Sequence, residues 1–261
     1  MRSKLNTLCL PVSLSILVGL KEVTLCQDEP HLAADPDSDH KVLQHWTNLE
    51  FLAVHCVLGK ISVWIAKLTS LRHLILSHIA EGSDVFLTHA SCMTALPLEA
   101  FSFRLDRGAQ KWIGWPSFCT ALQAISSLRA VGLQNIDLSA GRLACSPQIT
   151  RLGLTHTRLD CIPAAITSLS RLYHVDLASN CLTEIPAGPY LEALQHLDLR
   201  CYNFQQLPMQ LLKARHLHKL LLPGCLEHCR GTADDKQLRQ HLEPQCTIEF
   251  IGLNTGTEDS S

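Results

Sequence analysis

Two groups of residues in this sequence have the types and spacing to do chemistry. The first is Cys225, His228 and Cys229, with His241 and Cys246 further along the chain. Thiolates and imidazoles at short spacing are what a tetrahedral zinc site uses, but such sites show two paired C-x₂₋₄-C or H-x₃₋₅-H elements, and only one pair is present. The residues therefore read first as structural cysteines, then as a disulfide between two of the three cysteines, and last as a metal site. The second group is a pair of tripeptides, His174-Val175-Asp176 and His196-Leu197-Asp198, 22 residues apart. A histidine beside a carboxylate can bind a metal or relay a proton, yet neither a third ligand nor a nucleophile accompanies them.

No Gly-rich phosphate loop, nucleophile elbow, H-E-x-x-H helix or kinase-like motif occurs in the chain. The expectation is a protein that is not an enzyme, with no catalytic residues, no cofactor and no metal. Lysine plus arginine number 22 against 24 aspartate plus glutamate, a net charge of -2, so there is no cationic field for a phosphate backbone and nucleic acid is not an expected partner. The longest apolar run, Leu5 to Leu20, is broken by Asn6, Thr7, Pro11, Ser13 and Ser15, which argues against membrane insertion. Arg2 and Lys4 ahead of that run would suit a signal peptide, but Lys21-Glu22-Val23-Thr24-Leu25-Cys26 offers no small-x-small cleavage site. None of the asparagines has a hydroxyl residue two places on, so there is no N-glycosylation sequon. Twelve cysteines are many for a cytoplasmic protein, but 261 residues at 46% apolar can build a core without a disulfide framework. Cytoplasmic is the expected location, with secretion the alternative; in the cytoplasm most cysteines should be reduced and buried as small apolar residues.

What would position these side chains is a repeat. The pattern apolar-x-x-apolar-x-apolar begins at Leu49, Leu71, Met93, Leu128, Ile149, Leu172, Leu194 and Leu217. The units from Ile149, Leu172 and Leu194 agree further, with an apolar residue at offset ten (Leu159, Leu182, Phe204), another at thirteen (Ile162, Ile185, Leu207) and proline at fourteen (Pro163, Pro186, Pro208). Leu20, Val23 and Leu25, and before them Leu5, Leu8 and Leu10, read as worn copies. Residues at offsets 0, 3 and 5 cannot share one face of a flat strand, but all can point into a solenoid whose chain turns inward around a short strand. Stacked coils then pair their strands into a parallel sheet. In that arrangement His174 and His196 fall in one column and Asp176 and Asp198 in the next. Cys161, Cys181 and Cys201, although evenly spaced, occupy offsets twelve, nine and seven and cannot form a column of bridges.

The stretch HVDLASNCLTEIP resembles the leucine-rich repeat family, and its LxxLxLxxNxLxxIP form looks like the short repeats of plant-type intracellular and Ras-scaffold-like members. The resemblance runs from about residue 45 to 226. It implies an α/β fold, a leucine-rich repeat solenoid with a curved parallel β-sheet on the concave face, with strands centred near Leu52, Leu74, Leu96, Val131, Leu152, Val175, Leu197 and Leu220. It also implies that Asn180, at offset eight, hydrogen-bonds backbone groups that the tight bend leaves unpaired. Positions 2, 4 and 6 of each coil would face the concave side, where Arg151, His174, Asp176, His196, Asp198, Arg200 and Lys219 make a polar stripe suited to a protein partner.

The expected organisation is degenerate N-terminal repeats and an acidic loop (Asp28 to His40) over 1–44, the solenoid over 45–226, a C-terminal cap over 227–252 and a disordered tail over 253–261. In the cap, a helix from Asp234 to Leu242 and a strand around Ile248 and Phe250 would cover the last leucine layer. The long interval from Met93 to Leu128 carries Trp112 and Trp115, which read as part of a helix or loop packed on the convex side in preference to a protruding aromatic loop. The function expected is non-catalytic protein-protein interaction through the concave face. The alternatives are a secreted or cell-surface recognition fragment, or a substrate adaptor of a ubiquitin ligase.

Overall fold

The computed structural model describes residues 2–6, 12–26, 42–55, 65–79, 90–105, 115–139, 143–200 and 203–251. These contain eleven short strands: β1 (Arg2–Asn6), β2 (Glu22–Cys26), β3 (Phe51–His55), β4 (His73–Ile79), β5 (Ala100–Leu105), β6 (Ala130–Gln134), β7 (Arg151–Thr155), β8 (His174–Asp176), β9 (His196–Asp198), β10 (Lys219–Pro223) and β11 (Thr247–Ile251). They form one sheet in sequence order, every neighbouring pair parallel. A parallel neighbour cannot be reached by a hairpin, so each connection must run around a full coil before the next strand begins.

The apolar pattern explains which side of the sheet is covered. Leu152, Leu154, Val175, Leu177, Leu197, Leu199, Leu220 and Leu222, at offsets 3 and 5, are all buried, as are Ile149, Leu172, Leu194 and Leu217 at offset 0. Each coil packs these residues on its neighbours, and one apolar cluster runs from Leu20 to Cys246. The approach to the strands is also repeated: Gln195 and His196 both donate their N–H to the Tyr173 carbonyl, and His218 and Lys219 do the same to Gln195. The sheet ladder therefore starts one residue before each strand and locks the register of the outward-facing side chains.

Two expectations are corrected. The fifth strand does not centre on Leu96. Residues Ala90–Ala95 form a 3-10 turn, and Leu98, Phe101 and Phe103 take offsets 0, 3 and 5 of the coil. Both readings satisfy the apolar pattern. The second wins because Phe101 and Phe103 form an aromatic cluster with Phe118, at ring separations of 5.4 and 6.1 Å. The first strand likewise runs over Arg2–Asn6 with Leu5 opposite Leu25, so Leu5 falls at offset 5 and not at the start of a copy; Leu8 and Leu10 lie outside the described residues. Leu20, Val23 and Leu25 do form a coil, and all three are buried.

Among the described residues the return segments hold the α-helices α1 (Trp115–Ala124), α2 (Ala164–Thr167) and α3 (Ala233–Leu242), together with several 3-10 turns. Helix α1 buries Phe118 and Leu122, so the segment opened by Trp115 is a packed helix; Trp112 lies outside the described residues. Pro163 stands immediately before α2, where its fixed φ and missing N–H suit a helix start.

The bend after the strand is regular where the repeat is regular. Asn135, His156 and Ser179, each at offset seven, all take left-handed conformations with φ of 60°, 53° and 58°. The next residue in the β8 coil is Asn180, which is buried and saturated with hydrogen bonds. Its Oδ1 accepts from Thr157 N, Thr157 Oγ1 and Leu159 N at 3.0, 2.8 and 3.2 Å, and its Nδ2 donates to the Leu154 and Leu177 carbonyls. At the same offset in the β10 coil, Cys225 Sγ lies 3.6 Å from the Phe204 carbonyl.

At the C-terminal end, Thr232 Oγ1 accepts from Asp235 N and Asp235 accepts from Gly231 N, capping α3. Gly231 has φ +77°, a left-handed conformation that glycine adopts without the steric cost a side chain would add. Leu238 and Leu242 are buried, Ile248 and Phe250 pack partly buried on the same cluster, and β11 pairs with β10. The acidic loop from Asp28 to His40 and the tail 253–261 lie outside the described residues.

Candidate functional site

Side chains of a strand alternate between faces, so the residues flanking the buried leucines must point away from the core. Arg151 lies opposite His174, His174 opposite His196, and His196 opposite Lys219. A second row runs beside them, with Gly153, Asp176, Asp198 and Leu221 in register. The structure thus brings six of the expected residues into two adjacent rows, and places Arg200 two residues beyond Asp198 at the end of β9.

The rows differ in their local bonding. Asp176 Oδ1 accepts the Ala178 N–H at 3.0 Å. Burial pushes its carboxyl above the usual range, the Ala178 N–H opposing this and the Asp198 charge adding to it. Asp198 accepts from Arg200 three times over, from the backbone N at 3.1 Å and from Nε and Nη2 in a two-pronged ion pair whose shortest contact is 2.6 Å. The Arg200 guanidinium is held more firmly protonated by that bond. The His174 and His196 rings lie 5.5 Å apart and tilted by 40°. Burial, then His196, pushes the His174 imidazole below its ordinary range, against the pull of Asp176 and Asp198. Arg151 is exposed and has no ion-pair partner among the described residues, while Lys219 approaches Glu249 at 3.9 Å.

The sulfur and imidazole group does not converge. His228 Nδ1 sits 2.7 Å from the Cys225 carbonyl and Cys229 Sγ 3.4 Å from His228 Nε2, whereas Cys246 is buried against the end of the cap. Among the described residues no three histidines, cysteines or acids are placed to hold a metal. The nine described cysteines are free thiols, and their burial departs from expectation: Cys119 and Cys246 are buried, but Cys161, Cys181 and Cys225 are exposed. The three exposed ones sit at offsets that fall in the bends and return segments, where no leucine layer closes over them.

Two surface features were not foreseen. Phe51 and His73 make a ring contact at 6.2 Å on the earlier part of the sheet face, with His55 Nδ1 2.5 Å from Ser77 Oγ beside them. Offsets 2 and 6 of those coils mark these residues in the sequence. An open cleft of about 520 Å³ lies on the return side between the β8 and β9 coils, lined by Glu184, Asn203, Gln206 and Met209 among others. No spacing signal announces it, because it depends on how two return segments diverge.

Against known proteins, no family model and no curated protein matches the sequence. Solved structures do resemble it. An internalin from Listeria monocytogenes is similar with a TM-score of 0.56 at 15% identity, over 94% of this chain and 71% of that one. A leucine-rich repeat protein from Leptospira interrogans (TM-score 0.38, 16% identity, 94% and 76% of the two chains) and the leucine-rich repeat domain of the type III effector XopL (0.45, 18%, 96% and 75%) are also similar. The stacked parallel strands and the internalin likeness define the fold as a leucine-rich repeat solenoid. Among the described residues no helix is long and apolar enough to cross a membrane.

Proposed function

We propose that this chain is a non-catalytic interaction module that binds a protein partner through the concave sheet face of β7 to β10. Arg151, His174, His196 and Lys219 would make the contacts, and Asp176, Asp198 and Arg200 would hold the strand ends that frame them. The observation that carries the reading is the register of the sheet: polar and charged side chains are held in rows on the uncovered side while the opposite side is a continuous leucine core. Such a face is rigid before binding, so little ordering entropy opposes association.

Reversing both outer charges, Arg151→Glu with Lys219→Glu, should weaken the purified partner by at least about tenfold, since a desolvated charge contact is worth roughly 2 to 5 kcal/mol. The partner would first be identified by cross-linking in the native source. Thermal unfolding should be unchanged, because both residues are exposed. Undiminished partner affinity in the double variant would move the binding surface elsewhere, with the Phe51 and His73 region the next place to alter.

The proposed compartment is the cytoplasm. Exposed thiols at Cys161, Cys181 and Cys225 suit a reducing environment. Counting free thiols in denatured protein from the native source should find most of the twelve reduced. A mostly oxidised count would support a secreted or cell-surface protein instead.

A further inference from the structure

The two rows of the sheet face differ in how much charge they leave for a partner. The carboxylates are engaged within the chain, Asp176 by the Ala178 N–H and Asp198 by the backbone N–H and guanidinium of Arg200. The basic row is not. Arg151 has no ion-pair partner among the described residues, the Lys219 contact to Glu249 is 3.9 Å long between side chains about half exposed, and the two imidazoles lie against each other.

The spacing of this row has a counterpart in an extended chain. Neighbouring strands lie about 4.8 Å apart, so four consecutive strands carry Arg151, His174, His196 and Lys219 over about 14 Å. In an extended segment every second side chain points the same way at intervals of about 6.8 Å, so three alternate side chains also span about 14 Å. We infer that the row Arg151, His174, His196 and Lys219 receives an extended acidic segment of the partner, running across the strands with carboxylates at positions i, i+2 and i+4, and that the His174 imidazole takes up a proton as it binds. The inference rests on the reading of this face as the partner-binding surface.

The proton uptake follows from what surrounds the rings. His174 is faced by Arg151 on β7, by Asp176 on its own strand, and by His196 and Asp198 on β9. His196 is faced further by Lys219 on β10, with Arg200 bound to Asp198 and Glu249 on β11 beyond Lys219. In the free chain burial and the neighbouring ring disfavour charge on His174. A partner carboxylate laid over the pair favours the charged form of His174, so the complex holds that proton more tightly than the free protein. Binding must then strengthen as pH falls through the histidine range, until the partner's own carboxylates begin to protonate near about pH 4.

The test uses the full chain and two dye-labelled hexapeptides: Ac-Asp-Ser-Asp-Ser-Asp-Ser-NH2, and an isomer with its three aspartates adjacent. Fluorescence anisotropy at low salt should show the alternating peptide binding several-fold more tightly than the isomer, and about tenfold more tightly at about pH 5.5 than at about pH 7.5. His174→Gln with His196→Gln should bring that pH ratio close to one while leaving thermal unfolding at neutral pH intact. Arg151→Glu should weaken the peptide at both pH values. Equal binding of the two peptides, no binding at all, or a pH ratio that survives the histidine changes would overturn the inference. If any of these occurs while the native partner is still lost on Arg151→Glu with Lys219→Glu, the acidic-segment inference falls and the binding face stands; if the native partner also tolerates that double change, both fall.

Discussion

Asn180 is the side chain with the largest structural consequence relative to its size. Its single amide satisfies the Thr157 and Leu159 N–H groups and the Leu154 and Leu177 carbonyls, all at the bend where the chain leaves the sheet. A leucine side chain can supply no such partner, and a buried unpaired backbone group costs about 1 to 3 kcal/mol. Asn180→Ala should therefore destabilise the chain by roughly 2 to 4 kcal/mol, as read by chemical denaturation, with the far-ultraviolet spectrum of the folded state retained. A loss below about 1 kcal/mol would mean that water enters the bend and takes over the bonds. Thr157 sits at the equivalent place one coil earlier and donates its hydroxyl to Asn180, so the neighbouring bends are linked by one amide without a full asparagine ladder.

At the scale of the coil, what the sequence reveals depends on how many independent constraints a unit carries. The coils from Ile149, Leu172 and Leu194 are specified by leucines, bend residues and a proline together, and their strands lie where the pattern places them. The coil from Leu98 carries only the three-residue apolar pattern, which Met93, Leu96 and Leu98 match equally well; the choice was made by aromatic packing of Phe101 and Phe103 on Phe118, at least about fifteen positions further along the chain. Period alone cannot see that contact. The site was legible in the same partial way. Alternation about the buried leucines puts Arg151, His174, His196 and Lys219 on one face without any structure. That Asp198 is bound to Arg200, and Asp176 to the Ala178 N–H, could not be read from spacing, since both depend on how the chain turns after the strand. The repeated left-handed residue at Asn135, His156 and Ser179 was equally hidden, because three chemically different side chains occupy one backbone position.

For the whole molecule, a solenoid has no closed core, and its two ends must be finished by something other than another repeat. At the C-terminal end, α3 and β11 lie against the last leucine layer. Leu238 and Leu242 are buried, Ile248 and Phe250 pack on the same apolar cluster, and β11 supplies hydrogen-bond partners to the outer edge of β10. Helix α3 is itself well anchored, by Thr232 at its start and by the Arg239 to Asp235 ion pair along its side. Ending the chain at Leu226 would expose Leu217, Leu220 and Leu222, all now fully buried, together with an unpaired strand edge. A contiguous apolar layer beside open backbone groups is a template for association. The shortened chain should aggregate or unfold over a broad range, seen as light scattering on heating and a shallower denaturant transition. Because coils are stabilised mainly by their neighbours, the loss should be steepest at β9 and β10 and fade toward β7, which hydrogen exchange resolved along the chain would show. A truncated chain that stayed monomeric, with unchanged protection at β10, would mean that the last leucine layer does not need its cover.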